Sequence, residues 1–212
     1  MAAGKRRVGI IDYEAGNVRS IENALEHLGA RAERVTREAE LSEVTHLLLP
    51  GVGAFGHCAQ KLEATGLVPA LRHAVIEEGT PMLGICVGMQ LLADRSEELG
   101  GHAGLGWIGG TVRPILPAPP MVRVPHVGWN DVRFEEAFGD FAAGSSADFY
   151  FDHSFAYHDP REGRVLGSCE HGTRFAAALR HGNLVSAQFH PEKSQAAGLR
   201  FLAAFLAMDP KC

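Results

Sequence analysis

The chain has 212 residues, 46% of them hydrophobic and 21% charged, a balance that suits one globular domain spanning residues 1–212. A net charge of -5, with arginines scattered rather than gathered into a stripe, argues against a nucleic-acid partner. The basic Lys5, Arg6 and Arg7 precede an apolar run that stops at Asp12, and no stretch reaches the ~18 apolar residues of a membrane span, so neither a bilayer segment nor a secretory segment is expected.

Val8-Gly9-Ile10-Ile11 reads as a strand, and after the Gly16-Asn17 turn Val18, Ile21, Leu25 and Leu28 recur at helical spacing. Arg31 to Val35 is a weaker strand, while His46 to Leu49 is fully apolar and stops at the turn-forming Pro50-Gly51-Val52-Gly53. Val68, Leu71 and Val75 mark a helix ended by Gly79, and Pro81 to Ile85 is the strand that follows. This alternation predicts an α/β fold, an open and mostly parallel sheet with flanking helices. Ligands bind such sheets beyond the carboxyl ends of the strands, where Asp12, Pro50 to Gly53 and Cys86 all fall.

The second half differs. Pro114, Pro117, Pro119 and Pro120 break the chain, and a small-residue stretch from Gly139 to Asp148 separates shorter β-like segments. Phe149 to Phe151, Val165 to Cys169, Phe175 to Leu179 and Leu184 to Phe189 read as strands, the last two joined by a hairpin at His181-Gly182-Asn183. A smaller antiparallel flap is expected here. Leu199, Leu202 and Leu206, beside Phe201 and Phe205, predict a final amphipathic helix that returns to cover the parallel sheet.

Cys58, Cys86, Cys169 and Cys212 show no C-x-x-C spacing, which argues for reduced thiols in a cytoplasmic protein and against disulfides or a zinc site. An arbitrary free cysteine is more often a core residue than a nucleophile. Cys86 differs in its setting, Gly84-Ile85-Cys86-Val87-Gly88-Met89-Gln90, between a predicted strand and a helix. A side chain held at so sharp a turn needs neighbours without Cβ atoms, and a thiol at a helix N-terminus is favoured as the reactive thiolate. About a hundred residues on lies Gln188-Phe189-His190-Pro191-Glu192-Lys193-Ser194. Pro191 favours an extended path on which His190 and Glu192 point to the same side, so that the carboxylate orients the imidazole and the imidazole moves protons for Cys86. The amide of Val87 is the first candidate oxyanion donor, and the loop Pro50 to Gly53, through Val52 and Gly53, is the second. A phosphate-binding loop is the weaker alternative for that segment, because it lacks the Lys-Ser/Thr ending.

These motifs, with Ile11-Asp12-Tyr13, Ser20, Leu49 to Phe55, Pro125-His126-Val127-Gly128-Trp129-Asn130, and Tyr150-Phe151 with His153-Ser154-Phe155, resemble the glutamine amidotransferase subunits of imidazole glycerol phosphate synthase along nearly the whole chain. Val87 stands where that family usually has Leu, and Phe155 where an aromatic hydroxyl is common. The resemblance implies a flavodoxin-like class I amidotransferase domain that needs neither cofactor nor metal. It implies a Cys86, His190 and Glu192 triad hydrolysing glutamine, whose α-groups are held by Gly53, Gln90 and the segment His153, Ser154 and Phe155. It also implies a heterodimer with a (β/α)8-barrel cyclase subunit, which receives the ammonia and converts a phosphoribulosyl-formimino nucleotide to imidazole glycerol phosphate. Trp129, Asn130, Tyr150 and Lys193 are the interface candidates.

Three other readings compete. A cysteine α/β-hydrolase places its acid between nucleophile and histidine, whereas Glu192 follows His190. A binding module that has lost catalysis should lack a triad member or a flanking glycine. The vitamin B6 glutaminase subunit shares the triad but leaves Pro125 to Asn130 unexplained.

Overall fold

The computed structural model describes residues 6–116, 122–158 and 163–209. Lys5, Pro117, Pro119, Pro120 and Cys212 lie outside the described residues.

The first half consists of β1 (Arg7–Ile11), α1 (Val18–His27), β2 (Arg31–Val35), β3 (His46–Leu49), α2 (Phe55–Ala64), α3 (Val68–Arg72), β4 (Met82–Ile85) and α4 (Val87–Gln90). The strands predicted here are all present. The helix expected from Val68 to Gly79 is shorter and changes pitch, with a π-helical turn over His73–Glu77 following α3. Then come β5 (Arg95–Ser96), β6 (His102–Ala103), β7 (Thr111–Pro114), β8 (His126–Phe134), β9 (Ser146–His153), β10 (Phe155–His158), β11 (Val165–His171), β12 (Thr173–His181), β13 (Leu184–Ala187) and α5 (Gln195–Leu206).

Among the described residues, the strands form one sheet in the order β2-β1-β3-β4-β13-β12-β10-β7-β5-β6, with β11, β8 and β9 branching from β12. The strands from β2 to β13 are parallel neighbours, and the predicted flap continues directly from β13 through antiparallel β12. The chain steps from β1 outward to β2, then back past β1 to β3 and β4. Right-handed crossovers therefore put α1 and α2 on opposite faces, and the reversal of strand order opens a crevice beyond the strand ends.

β3 and β4 are buried on both faces, which explains why His46 to Leu49 and Met82 to Ile85 carry no polar alternation. His46 is buried within that pattern, its ring edge-on to Phe205 and its Nε2 bonded to the Met208 carbonyl, so α5 returns to the parallel sheet as predicted. Phe201 of α5 also meets Phe138, Phe149 and Phe189, joining the helix to the antiparallel strands. The predicted hairpin closes with His181 opposite Leu184, leaving Gly182 and Asn183 as its turn, and Gly182 takes a φ of +60°.

No described helix is long and apolar enough to cross a membrane.

Candidate active site

β4 and β13 run side by side in a parallel register that pairs Ile85 with Ala187, and the Cys86 N–H continues it by donating to the Ala187 carbonyl at 2.8 Å. Two segments a hundred residues apart are thereby aligned, Cys86 beside Gln188 and two residues short of His190. Cys86 itself has a φ of +54°, a conformation that L-residues avoid and that survives only where the surroundings enforce it. The surroundings here are tight. A Cβ at Gly88 would stand 1.9 Å from the Leu49 carbonyl oxygen, and one at Gly84 would stand 2.8 Å from the Gly88 oxygen. The flanking glycines thus let the nucleophile turn pass against β3, as its sequence setting requires.

His190 Nδ1 lies 2.9 Å from Glu192 Oε1, with both side chains almost wholly buried. The path differs from the extended one expected. Pro191–Lys193 is a single 3-10 turn with Pro191 in its first position, where the fixed φ of proline suits a helical turn. The pairing of His190 with Glu192 is made across that turn. Burial alone would lower the His190 pKa. Proximity to Cys86 and the hydrogen bond to Glu192 outweigh it and raise the pKa, so the ring favours the imidazolium. Cys58 and Cys169 are also free but differ in character, since burial pushes both thiols up, Cys169 to about 12.

Cys86 is only 3% exposed, and the access it has is to a pocket of about 330 Å³. Every residue expected at the catalytic, oxyanion and glutamine positions lines this pocket except Glu192, which stands behind His190: Cys86, Val87, Val52, Gly53, Gln90, His153, Ser154, Phe155 and His190. Asp12 does not join them. It pairs with Arg34, while Tyr13 beside it is buried outside the pocket and donates from its hydroxyl to the Pro50 carbonyl. Pro125, at the head of the Pro125 to Asn130 motif, also lines the pocket, as do Asp152 and Glu98, for which the sequence carried no signal; Glu98 accepts from the Phe55 N–H at the start of α2.

Gln90 donates to the Phe155 carbonyl at 3.1 Å and to Gln188 Oε1 at 2.9 Å, which uses both of its N–H bonds and leaves its own oxygen as an acceptor. Gln188 Nε2 in turn lies 3.7 Å from Cys86 Sγ. The oxyanion donors are less ready. The Val87 N–H is 3.4 Å from the Gly51 carbonyl oxygen, so an acceptor of the protein itself holds the place where a developing oxyanion would sit.

The interface candidates divide. Trp129 is opposite Tyr150 in the β8–β9 register, their rings meet edge to face, and Lys193 Nζ stands 5.4 Å from the Tyr150 ring. Trp129 is 49% exposed, so the three form an open surface patch. Asn130 instead turns to the other face of β8. The Tyr150 backbone is held at both ends of the triad turn, its carbonyl accepting from the His190 N–H at 2.9 Å and its N–H donating to Ser194 Oγ at 3.0 Å.

Three buried histidines define an acid limit. Burial lowers His46 to about 4, His126 to about 3 and His153 to about 4. Because these folded values lie below the ordinary 6.5, the unfolded chain binds more protons at acid pH. The contribution of these three is therefore full above about pH 6.5 and falls as the pH drops toward 4, by up to about 1.4 kcal/mol per pH unit for each histidine. Urea unfolding at pH 7 and pH 5 should show a lower midpoint at pH 5, and equal midpoints would place these rings in water.

A model of the family described as glutamine amidotransferase class-I matches residues 9–208. Proteins named imidazole glycerol phosphate synthase subunit HisH are similar over nearly their whole length. That of Zymomonas mobilis is 47% identical, with 96% of each chain covered, and that of Rhodospirillum rubrum is 46% identical, with 96% of this chain and 100% of the relative covered. The relative from Moorella thermoacetica is 44% identical over 94% of each. Among solved structures, the fold is shared with a glutamine amidotransferase, TM-score 0.73 at 23% identity over 94% of this chain and 96% of that one. It is shared also with the structure described as PurLQS from Thermotoga maritima, TM-score 0.75 at 20% identity over 96% and 98%.

Proposed function

Because the chain belongs to the class-I glutamine amidotransferases, among the HisH subunits of imidazole glycerol phosphate synthase, we propose that Cys86, His190 and Glu192 hydrolyse glutamine and that the ammonia passes to a (β/α)8-barrel cyclase subunit. The observation that carries the site assignment is that Cys86 and His190 line one pocket, with His190 Nδ1 on Glu192 Oε1 behind it.

In this reading the Cys86 thiolate attacks the side-chain carboxamide carbon of glutamine. The carbonyl oxygen takes up negative charge, and the His190 imidazolium gives its proton to the departing nitrogen, leaving a thioester and ammonia. Water then adds to the thioester, its proton passing to His190, and the C–S bond breaks to release glutamate and the thiol. Glu192 keeps Nδ1 of His190 protonated throughout, so that Nε2 is the nitrogen that exchanges protons. Gln90, Gly53 and the His153 to Phe155 segment bind the α-amino and α-carboxylate groups, the free oxygen of Gln90 being suited to the ammonium.

Trp129, Tyr150 and Lys193 form the partner-facing patch, beside the pocket that Lys193 also lines. A closed contact there has a chemical purpose, since ammonia that escapes to water is protonated and loses its nucleophilic lone pair. The reduced Cys58, Cys86 and Cys169 fit a cytoplasmic location. Release of glutamate from glutamine by the purified chain with its barrel partner tests the assignment, and no release under saturating glutamine would overturn it.

The Gly51 carbonyl on the Val87 N–H extends the proposal to regulation. Partner docking turns the Pro50 to Gly53 segment so that an N–H replaces that carbonyl, completing the oxyanion site. One missing oxyanion donor costs about 10²- to 10³-fold in turnover. The chain alone should accordingly hydrolyse glutamine at least about 10²-fold more slowly than the complex with a bound substrate analogue. Equal rates would remove the switch while leaving the triad assignment standing.

A further inference from the structure

A buried histidine pair runs back from the pocket wall, where His153 stands, to His126, and its ring nitrogens are determined from both ends. At the outer end, Asn130 Oδ1 accepts from the Asp131 N–H at 2.8 Å, and Asn130 Nδ2 lies 3.1 Å from the Glu170 carbonyl, which can only accept. These two backbone groups settle which way the amide points. Its remaining N–H, 3.1 Å from His126 Nε2, requires a lone pair on that nitrogen. At the inner end, His153 Nδ1 lies 2.8 Å from the Phe155 carbonyl and must carry the proton. Neutral His153 then has a lone pair on Nε2, which faces His126 Nδ1 at 2.9 Å.

The two ends agree. Both rings are Nδ1–H tautomers, and every donor along the line points inward toward Phe155. A second proton on either ring would set two N–H groups against each other between His126 and His153, or an N–H against the Asn130 amide. Burial, together with the neighbouring His153 and His171, lowers the His126 pKa, in keeping with a ring that must stay neutral. Stacking on Phe151 and on His171, at 4.6 Å and 3.8 Å between centroids, holds the His126 ring in its plane.

The line ends on a group that matters. The Phe155 carbonyl accepts from His153 and also from Gln90, the side chain whose free oxygen faces substrate in the proposed reaction. We infer that His126 is a positioning residue for glutamine binding, and that Asn130, on the strand that bears Trp129, holds it in the tautomer that supports the His153 to Phe155 wall. The inference rests on the glutaminase reading of the pocket. It adds residues outside the pocket and a polarity that substitutions can reverse.

Asn130→Asp keeps the shape and reverses that polarity. A carboxylate facing His126 Nε2 draws a proton onto it. His126 then either becomes a cation or presents a lone pair at Nδ1, which forces His153 to place its proton on Nε2 and turn a lone pair toward the Phe155 oxygen. Asn130→Ala removes one donor but leaves the inner end to dictate the same tautomers. Groups facing the pair are His171 from β11, Asp152 beside His153, and His190 across the pocket; the new carboxylate is the nearest to His126 Nε2.

The experiment has two arms. Imidazole nitrogen NMR of the ¹⁵N-histidine-labelled chain at pH 7 should show His126 and His153 both neutral with protons on Nδ1; an Nε2–H form or an imidazolium at either ring overturns the inference. Glutamine kinetics of the complex should then give Asn130→Asp a KM raised about tenfold with kcat nearly unchanged, and Asn130→Ala a smaller rise. Because a carboxylate at 130 also faces the Glu170 carbonyl, the same nitrogen spectra of Asn130→Asp complete the test: a raised KM with the His126 and His153 nitrogens unchanged is the mark of a merely structural Asn130 and would also overturn the inference. Failure of the wild-type complex to use glutamine would instead strike the glutaminase reading, with the tautomer spectra still deciding the relay.

Discussion

Cys86→Ala should abolish glutamine-dependent synthesis by the complex, by about 10⁴-fold or more, while synthesis from added ammonium salts continues. The size follows from the chemistry: without the sulfur no thioester forms, and the pocket retains only the binding and electrostatic part of catalysis. Alanine is well placed as a probe, because the +54° φ at residue 86 is enforced by backbone contacts around Gly84 and Gly88 rather than by the side chain. Loss of ammonia-dependent synthesis as well would mean that the substitution had disturbed docking. Retained glutamine use would remove Cys86 from the mechanism.

Glu192→Gln should lower kcat for glutamine by about 10³- to 10⁴-fold with little change in KM. The side chain is 1% exposed, and Oε1 on His190 Nδ1 is its one hydrogen bond among the described residues, Oε2 being buried without a partner. Glutamine can occupy the same space and present an oxygen to the ring. It cannot supply the negative charge that raises the His190 pKa, and it allows the amide to flip and favour the wrong tautomer. The variant's pH–rate profile should also shift its imidazole limb to lower pH. A rate near that of the wild type would make Glu192 a packing residue behind the base.

What could be read from the residues depended on the range of the forces involved. The parallel strands and the nucleophile turn were open to inspection because their causes are local: apolar runs such as Leu47 to Leu49, and glycines whose absent Cβ atoms leave room for Leu49 and Gly88. The short strands β5, β6 and β7, and the long β8, carried no such signal; β8 alternates only in part and contains Gly128 at a φ of +128°. Pro191 was misleading, since proline suits an extended path and the first position of a helical turn equally well, and packing against α5 decides for the turn. A Cβ at Gly198 would stand 1.8 Å from the Pro191 oxygen, a measure of how closely that helix abuts. The histidine pair was out of reach altogether. Its members are joined by hydrogen bonds between β8, β9 and the first residue of β10, and each ring alone reads as an ordinary core residue.

The double hold on Tyr150, by the His190 N–H and by Ser194 Oγ, ties the phase of a β-strand to the reach of a base. Residues 149 and 151 face the aromatic core and 150 faces outward, so moving β9 along by a single position would exchange the two sides and unhook the histidine at once. Changes in length between β8 and β9 are thus absorbed by the connection over residues 135–145 or not at all, and there only around Phe138 and Phe141, which are themselves anchored in the aromatic core.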